Sequence, residues 1–338
     1  MAKRSESVID IQGKQLKLSN LEKVLYPAAG FTKGQVIDYY VRIAPVLLPH
    51  LKNRPLTLKR YPEGVDGMFF YEKSCPKYRP DWVQTAPVWS EGRNEYIDYC
   101  LAQDIPTLVW AANLADLELH TSLSLGKEIL RPTMLVFDLD PGAPANIIQC
   151  CEVALMVREL FAEYDLECFP KTSGSKGLQV YIPLNTPTSY DETKPFAHAI
   201  ARLLEDRHPD KIVSDMMKAL RVGKVLVDWS QNDDHKTTVC VYSLRAKDRP
   251  TVSTPVTWKE VEQCLKKKDP QLLVFESEDT LKRVEQHGDL FAPVLKMKQR
   301  LPKVNRLSSE LAEHYERYAS KLKPAASART APRSKKRG

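Results

Sequence analysis

The pattern of apolar and polar positions predicts short strands mixed with helices along most of the chain. Apolar residues recur at intervals of three and four in the segments expected to be helical, 32–48, 107–115, 146–164, 191–205, 258–265 and 307–322. Runs rich in β-branched residues between turn signals predict strands at 116–122, 133–138, 168–172, 178–183, 225–229 and 237–242. The last two are expected to pair around a polar turn. Since strands and helices do not alternate strictly, the pattern predicts an α+β fold, with mixed or antiparallel sheets flanked by helices.

The composition changes towards the end of the chain. A compact body is predicted over about 8–300, with 290–302 as a connector, followed by a C-terminal helix within 301–322. The last segment, 323–338, carries six Lys and Arg residues and no large apolar residue to bury. This composition predicts a disordered basic tail.

Charge and cysteine content narrow the class of protein. The net charge is +7, and basic segments at both ends flank an acidic middle, a layout typical either of a polyanion bound beside an acidic site or of a merely solubilising tail. No apolar run reaches the length of a membrane span and no secretory signal precedes the body, so a cytoplasmic location is expected. The seven cysteines form no C-x-x-C pair, so we expect reduced thiols and no disulfide framework or zinc site.

Three aspartates at strand ends carry the sharpest chemical signal. Asp138 and Asp140 are two positions apart at the end of an apolar strand, so their side chains point to the same face. Asp228 ends another apolar strand. Carboxylates held this close repel unless a cation neutralises them, and oxygen ligands suit Mg²⁺ or Mn²⁺. The pattern predicts a three-carboxylate site for two-metal phosphoryl transfer; the alternative from the residues alone is ordinary turn chemistry.

Other residues are candidates for binding phosphates or bases. The loop 172–177 joins two strands and offers glycines, hydroxyls and Lys176, a composition that can cradle phosphate although it is not a Walker A loop. His120 shares a strand face with Glu118, and Arg245 follows a strand as a candidate phosphate clamp. Because adjacent residues of a strand face opposite sides, at most one of Phe69 and Phe70 is easily a stacking surface; the alternative is that one lies in the core and the other at its rim.

Taken together, these motifs resemble one protein family. The chain from about 16 to 300 is similar to the polymerase domain of bacterial ligase D, in the archaeo-eukaryotic primase (primase-polymerase) superfamily. The resemblance is carried by Lys23-Val24-Leu25-Tyr26-Pro27, Lys59-Arg60-Tyr61-Pro62, Glu118-Leu119-His120, Asp138-Leu139-Asp140-Pro141, Thr172-Ser173-Gly174-Ser175-Lys176-Gly177, Val227-Asp228-Trp229-Ser230-Gln231-Asn232, Tyr242-Ser243-Leu244-Arg245 and Val252-Ser253-Thr254-Pro255.

This resemblance implies a primase-polymerase fold of two packed subdomains forming one catalytic unit. It also implies a nucleotidyltransferase that extends DNA primers from NTPs or dNTPs, favours ribonucleotides, uses two Mn²⁺ or Mg²⁺ ions, and works in end joining with Ku and an ATP-dependent ligase. The implied partners include DNA with 5′-phosphate ends, gaps or overhangs, and a nucleoid-associated location follows. The implied roles are metal binding by Asp138, Asp140 and Asp228; triphosphate binding by His120, Ser173, Lys176 and Arg245; base stacking by Phe69 and Phe70; and 5′-phosphate binding by Lys23 and Lys33.

Two departures and two alternatives stay open at this stage. The family often has Gly-Leu-His where this chain has Gly177-Leu178-Gln179, and a glutamine cannot carry the charge of a protonated imidazole. The chain shows no ligase nucleophile motif, so it is expected to be a stand-alone polymerase or a piece of a longer protein. The competing hypotheses are a metal-dependent phosphodiesterase or nuclease and a non-catalytic module that binds DNA ends.

Overall fold

The computed structural model describes residues 6–90 and 92–322, so the predicted tail 323–338 lies outside the described residues. In chain order, the strands are β1 (Glu6–Ile11), β2 (Lys14–Ser19), β3 (Val24–Tyr26), β4 (Phe31–Thr32), β5 (Leu56–Arg60), β6 (Phe70–Glu72), β7 (Thr85–Ser90), β8 (Glu95–Cys100), β9 (Asp116–Thr121), β10 (Met134–Pro141), β11 (Phe169–Thr172), β12 (Leu178–Pro183), β13 (Ile212–Val213), β14 (Val225–Asp228) and β15 (Thr238–Val239). The α-helices are α1 (Lys33–Leu51), α2 (Ile105–Asn113), α3 (Ile147–Ala162), α4 (Tyr190–Arg207), α5 (Trp258–Lys267), α6 (Ser277–His287), α7 (Ala292–Lys296) and α8 (Ser309–Ala319).

Two sheets organise the described part of the chain, each with its own hydrophobic core. The first has the strand order β15-β9-β5-β8-β7, with β6 added along β5, and packs against α1 and α2. The second has the order β11-β12-β10-β14-β13, antiparallel except for the parallel β13–β14 pair, and packs against α3, α4 and α5. This arrangement confirms the predicted α+β fold with mixed and antiparallel sheets.

The predicted helices form because their ends and faces obey the expected rules. Thr32 caps α1, since its hydroxyl accepts the Gln35 amide proton while the Gln35 side chain accepts from the Thr32 amide. Asn146 caps α3 in the same way, with Gln149 as its partner. α1 continues past the predicted end at 48, through Pro49, to Leu51. The sequence pattern missed α6, whose mostly polar residues bury only Ser277, Thr280 and Leu281.

Two sequence predictions are wrong in detail. The segments 225–229 and 237–242 do not pair with each other: β14 pairs with β10 in one sheet, and β15 pairs with β9 in the other. The polar stretch between them therefore crosses from sheet to sheet, which a hairpin interpretation overlooked. The expected connector 290–302 contains α7, whose Val294 is fully buried.

The expectation of reduced cysteines throughout is also incorrect. Cys75 and Cys100 form a disulfide, because β8 brings residues 25 positions apart in sequence to a Cα separation of 4.9 Å. The other five cysteines are buried free thiols. Within 6–90 and 92–322, no helix combines the length and apolar character needed to cross a membrane.

Candidate active site

Strand pairing brings the three predicted carboxylates together. β10 is buried along most of its length and exposes one side of Asp138 and Asp140 at its end, in alternation with buried Leu139. β14 runs antiparallel beside it, and Asp228 lies directly opposite Asp138. The predicted three-acid cluster therefore forms at one edge of the second sheet.

Two carboxylates of this cluster, Asp138 and Asp140, are poorly compensated by their surroundings, whereas Asp228 accepts hydrogen bonds from the Ser230 amide and the Gln231 side chain. The Oδ1 atom of Asp138 is buried without a hydrogen-bond partner among the described residues. Burial, together with repulsion from Asp140, raises the pKa of Asp138 to about 7. Burial and the charge of Asp228 also raise the pKa of Asp140 above its ordinary value. An all-oxygen donor set with excess negative charge and an orphaned carboxylate oxygen fits Mg²⁺ or Mn²⁺.

A buried lysine shares a row of the sheet with these acids, and the sequence prediction missed it. Register places Lys171, Gln179, Asp138 and Asp228 side by side on four adjacent strands. Lys171 is fully buried, and its Nζ donates to the Ser253 hydroxyl at 2.6 Å. Burial lowers the pKa of Lys171 to about 7, while the charge of Asp138 opposes that change. The sequence signal was a lysine inside the predicted buried strand 168–172.

The loop between β11 and β12 is closed on itself by Ser173. The Ser173 hydroxyl accepts the amide protons of Ser175 and Gly177 at 3.2 and 3.1 Å. Gly174 has a φ of +67°, and a Cβ at Gly177 would lie 1.9 Å from the Leu139 carbonyl oxygen, so both positions require glycine. The N–H groups of the loop converge as predicted, but those of Ser175 and Gly177 donate to the Ser173 hydroxyl of the loop itself. The loop places exposed Lys176 where its charge partly opposes the rise in the pKa of Asp140 that burial and Asp228 cause.

The opposite wall of the site is a cationic network built around Glu118. This buried carboxylate lies 2.9 Å from His120 Nε2, 3.2 Å from Lys59 Nζ and 3.3 Å from Arg245 Nε. Although burial alone would raise it, the His120 hydrogen bond and the Arg245 charge hold the pKa of Glu118 well below its usual range. Burial also lowers the pKa of His120, and the Glu118 carboxylate opposes that change. Arg245 additionally donates to the Ser173 carbonyl oxygen and joins this wall to the loop.

The two candidate stacking residues both lie at the surface, so the alternative of a core position for one of them is wrong. Phe69 is 50% exposed and stacks on Tyr61 with ring centroids 5.2 Å apart. Phe70 is 43% exposed and lies under the Arg60 guanidinium. Tyr71 continues the aromatic surface inwards, with its ring centroid 5.9 Å from that of His120 and the two rings nearly perpendicular.

These walls enclose a cleft of about 410 Å³ between the two sheets. Five of the nine residues predicted for it line the cleft, namely His120, Asp138, Asp140, Ser173 and Arg245. Asp228, Lys176, Phe69 and Phe70 lie outside this lining. The segment that crosses between the sheets adds lining residues that were not predicted, Gln231, His235, Lys236 and Thr237.

The two candidate 5′-phosphate residues lie together at the start of α1. The β3–β4 hairpin returns the chain so that the Lys33 amide donates to the Lys23 carbonyl at 2.8 Å. The N–H groups of the first turn are occupied, because Lys33, Gly34 and Gln35 all donate to the preceding chain or to Thr32. Lys33 is buried and its Nζ donates to the Ser19 carbonyl at 2.6 Å; burial and the neighbouring Lys23 lower its pKa to about 8.

Comparison with known proteins identifies the class of domain. Residues 32–291 match the family model described as the LigD primase-polymerase domain. The polymerase domain of Mycobacterium tuberculosis ligase D, solved in complex with DNA, is similar with a TM-score of 0.77 and 40% identity, over 84% of this chain and 99% of that one. The chain is therefore a primase-polymerase domain.

Curated relatives give the family. The multifunctional non-homologous end joining protein LigD of Mycolicibacterium smegmatis is 40% identical over 283 residues, which are 83% of this chain and 36% of that protein. The bifunctional non-homologous end joining protein LigD of Bacillus subtilis is 33% identical over 252 residues, 74% of this chain and 40% of that protein. The chain belongs to the LigD primase-polymerase family and spans less than half the length of these relatives.

Proposed function

We propose that this domain is a metal-dependent nucleotidyltransferase that extends a DNA primer from NTPs or dNTPs at breaks or gaps during end joining. The observation that carries the proposal is the carboxylate cluster of Asp138, Asp140 and Asp228, in which Asp138 has an oxygen without a partner and, with Asp140, lines the cleft that the cations of the opposite wall face. Negative charge on one side suits metal ions, and positive charge on the other suits a polyphosphate.

Each wall has its own part in the proposed reaction. Asp138, Asp140 and Asp228 would hold two Mn²⁺ or Mg²⁺ ions, which when bound neutralise reacting phosphate oxygens and lower the pKa of an attacking hydroxyl. Arg245 and Lys176 bind the triphosphate as fixed cations, and Ser173 keeps the loop shaped around it. His120 contributes a hydrogen bond beside the phosphates. The exposed ring of Phe69 offers a surface for a base to stack on.

The partners of the domain follow from the same proposal. The relative from M. tuberculosis was solved with DNA, and the curated relatives are named for non-homologous end joining. We assign to this chain DNA with 5′-phosphate ends, gaps or overhangs, with Ku and an ATP-dependent ligase as protein partners, in a cytoplasmic, nucleoid-associated location. Lys23 and Lys33 would contact the 5′-phosphate.

The decisive experiment uses a labelled primer-template with NTPs and Mn²⁺. Asp138→Asn and Asp228→Asn should each lower primer extension by about 1,000-fold or more, because charge stabilisation in the transition state is the largest catalytic contribution. DNA affinity, measured by fluorescence anisotropy, should change less than about threefold, since phosphate contacts made elsewhere dominate binding. The matched control is Asp210→Asn at an exposed position, which should extend normally.

The same gel separates the alternatives. Primer shortening instead of extension would favour the nuclease hypothesis, and a mobility shift with neither reaction would favour the binding module. Near-normal extension by either aspartate variant would overturn the assignment of the metal site.

A further inference from the structure

Trp229, which directly follows Asp228, belongs to an aromatic cluster formed by three separate elements. The His198 ring of α4 meets it edge-on with centroids 4.6 Å apart, and the Tyr318 ring of α8 does so at 5.2 Å. Tyr318 also stacks on His198, with centroids 3.9 Å apart and 14° between the ring planes. Each ring contacts the other two, so the indole is held from both helices.

The rest of Trp229 is fixed to the catalytic strands. Its indole Nε1 donates to the Ser214 carbonyl at 3.2 Å. Its own carbonyl accepts from the Asn232 side chain, which also exchanges two hydrogen bonds with the backbone of Val136 on β10. These hydrogen bonds link the indole to the end of β14, where Asp228 lies beside Asp138.

Helix α8 is docked firmly enough to hold this position. Leu311 is fully buried in the core of the second sheet. His314 lies 3.0 Å from Asp206, and Arg207 of α4 lies 3.1 Å from Glu310. The helix nevertheless lies beyond residue 291, where the match to the family model ends.

We propose that Tyr318 is a positioning residue for Asp228, acting through His198 and Trp229, so that α8 is part of the catalytic unit. The inference rests on the proposed role of Asp228 as a metal ligand. A ligand carboxylate tolerates little displacement, and an error of about 1 Å can cost about 100-fold in rate. Removing the Tyr318 ring leaves the indole and imidazole without their third partner, and the strand end gains freedom without losing a ligand.

The test compares three variants of the full chain. Tyr318→Ala should lower kcat for primer extension about 10- to 100-fold at saturating DNA and nucleotide, raise the Mn²⁺ concentration for half-maximal rate, and leave the KM for NTP within about twofold. Tyr318→Phe keeps the ring and should restore wild-type behaviour. Tyr315→Ala removes a ring of the same helix that packs on the core of the second sheet and, within the described residues, makes no ring contact with Trp229; it controls for loss of helix stability.

Thermal unfolding of all three variants separates positioning from folding. If Tyr315→Ala lowers the melting temperature as much as Tyr318→Ala yet keeps its kcat, the positioning role is supported. Equal kcat losses in both variants, or a normal kcat in Tyr318→Ala, would overturn it.

Direct Mn²⁺ titration by calorimetry keeps the inference distinct from the proposed function. Weaker Mn²⁺ binding by Tyr318→Ala than by Tyr315→Ala would support positioning even if the wild-type protein extended no primer. Absence of extension by the wild type would contradict the polymerase proposal alone, and unchanged Mn²⁺ affinity in Tyr318→Ala would contradict the positioning inference.

Discussion

The two walls of the cleft both contain buried carboxylates, but they differ in how the negative charge is balanced. Glu118 is surrounded by His120, Lys59 and Arg245, and its pKa is held well below its usual range. Asp138 has other carboxylates as neighbours and an oxygen without a partner, and its pKa is raised to about 7. A buried carboxylate is thus fully compensated by neighbouring cations on one side of the cleft and left without such compensation on the other.

The difference indicates which buried carboxylate stabilises the fold and which is available to bind a cation. A fully compensated buried carboxylate organises its cations and costs a great deal to remove. An undercompensated cluster destabilises the metal-free fold, and positive charge supplied from outside relieves it. Charge balance, rather than burial or residue type, therefore separates the wall organised by Glu118 from the wall of aspartates to which we assign the metal ions.

Substitution of Glu118 should produce the largest effect on the wall that this carboxylate organises. Glu118→Gln removes the charge that balances Lys59 and Arg245, and should lower the free energy of unfolding by about 3 kcal/mol and kcat/KM for NTP by about 100-fold. Because the pKa of Glu118 is lowered in the fold, its stabilisation is present at neutral pH and declines as the pH falls below the ordinary glutamate range. Urea unfolding at pH 7 and at acid pH measures both the loss and its pH dependence.

A second glutamate of the same sheet provides the control. Glu72 pairs with Arg60 at 2.8 Å in a more exposed position, so Glu72→Gln should cost less than about 1 kcal/mol. If Glu118→Gln and Glu72→Gln lowered the free energy of unfolding equally, the network around Glu118 would stabilise the fold no more than an ordinary ion pair does.

Asp138→Asn should have the opposite sign on stability. The folded protein binds a proton at Asp138 with a pKa of about 7, against about 4 in the unfolded chain, so the metal-free wild type loses stability as the pH rises through this window. The uncharged variant escapes that loss and should be more stable at pH 7 by about 1.4 kcal/mol or more, the equivalent of a tenfold change in proton affinity. Thermal unfolding in EDTA from pH 4 to pH 8 checks this.

Added Mn²⁺ and a second aspartate sharpen the result. Mn²⁺ should raise the melting temperature of the wild type more than that of Asp138→Asn, since only binding to the folded state stabilises it. Asp104 accepts from Lys14 and Thr107 and has a lowered pKa, so Asp104→Asn should destabilise at pH 7. A destabilised Asp138→Asn in EDTA would contradict the unbalanced-cluster interpretation.

The sequence predicted local structure better than it predicted contacts between distant segments. Alternation along 133–140 was enough to place Asp138 and Asp140 on one face, and Thr32 was recognisable as a cap. Both depend on residues within a few positions of each other. The pairing of β14 with β10 instead of β15 depends on sheet order, which periodicity does not encode.

The compensation of charge in the site could not be predicted from the sequence either, because it depends on contacts between distant segments. His120 and Glu118 were predicted neighbours because they lie two positions apart on a strand. That Arg245 and Lys59 converge on the same carboxylate follows only from the fold, and so does the row that contains Lys171. The cations around Glu118 come from segments far apart in sequence, whereas two of the three carboxylates lie two positions apart on one strand.

The smallest expected effect concerns the lysine pair at the start of α1, which lies outside both walls. Because the first-turn N–H groups are occupied, the lysine charges must provide any preference for a 5′-phosphate, and Lys23→Ala/Lys33→Ala should reduce that preference on gapped DNA by up to about tenfold. The pKa of Lys33 is lowered to about 8, so its positive charge is lost as the pH rises, and wild-type preference should be greater at pH 7 than at pH 9.

Competition binding between gapped DNAs with and without the 5′-phosphate measures this preference. Lys52→Ala, at the exposed far end of α1, controls for net charge and should keep the preference. A preference that the double variant retains in full, or that is unchanged at pH 9, would mean that the phosphate is read elsewhere.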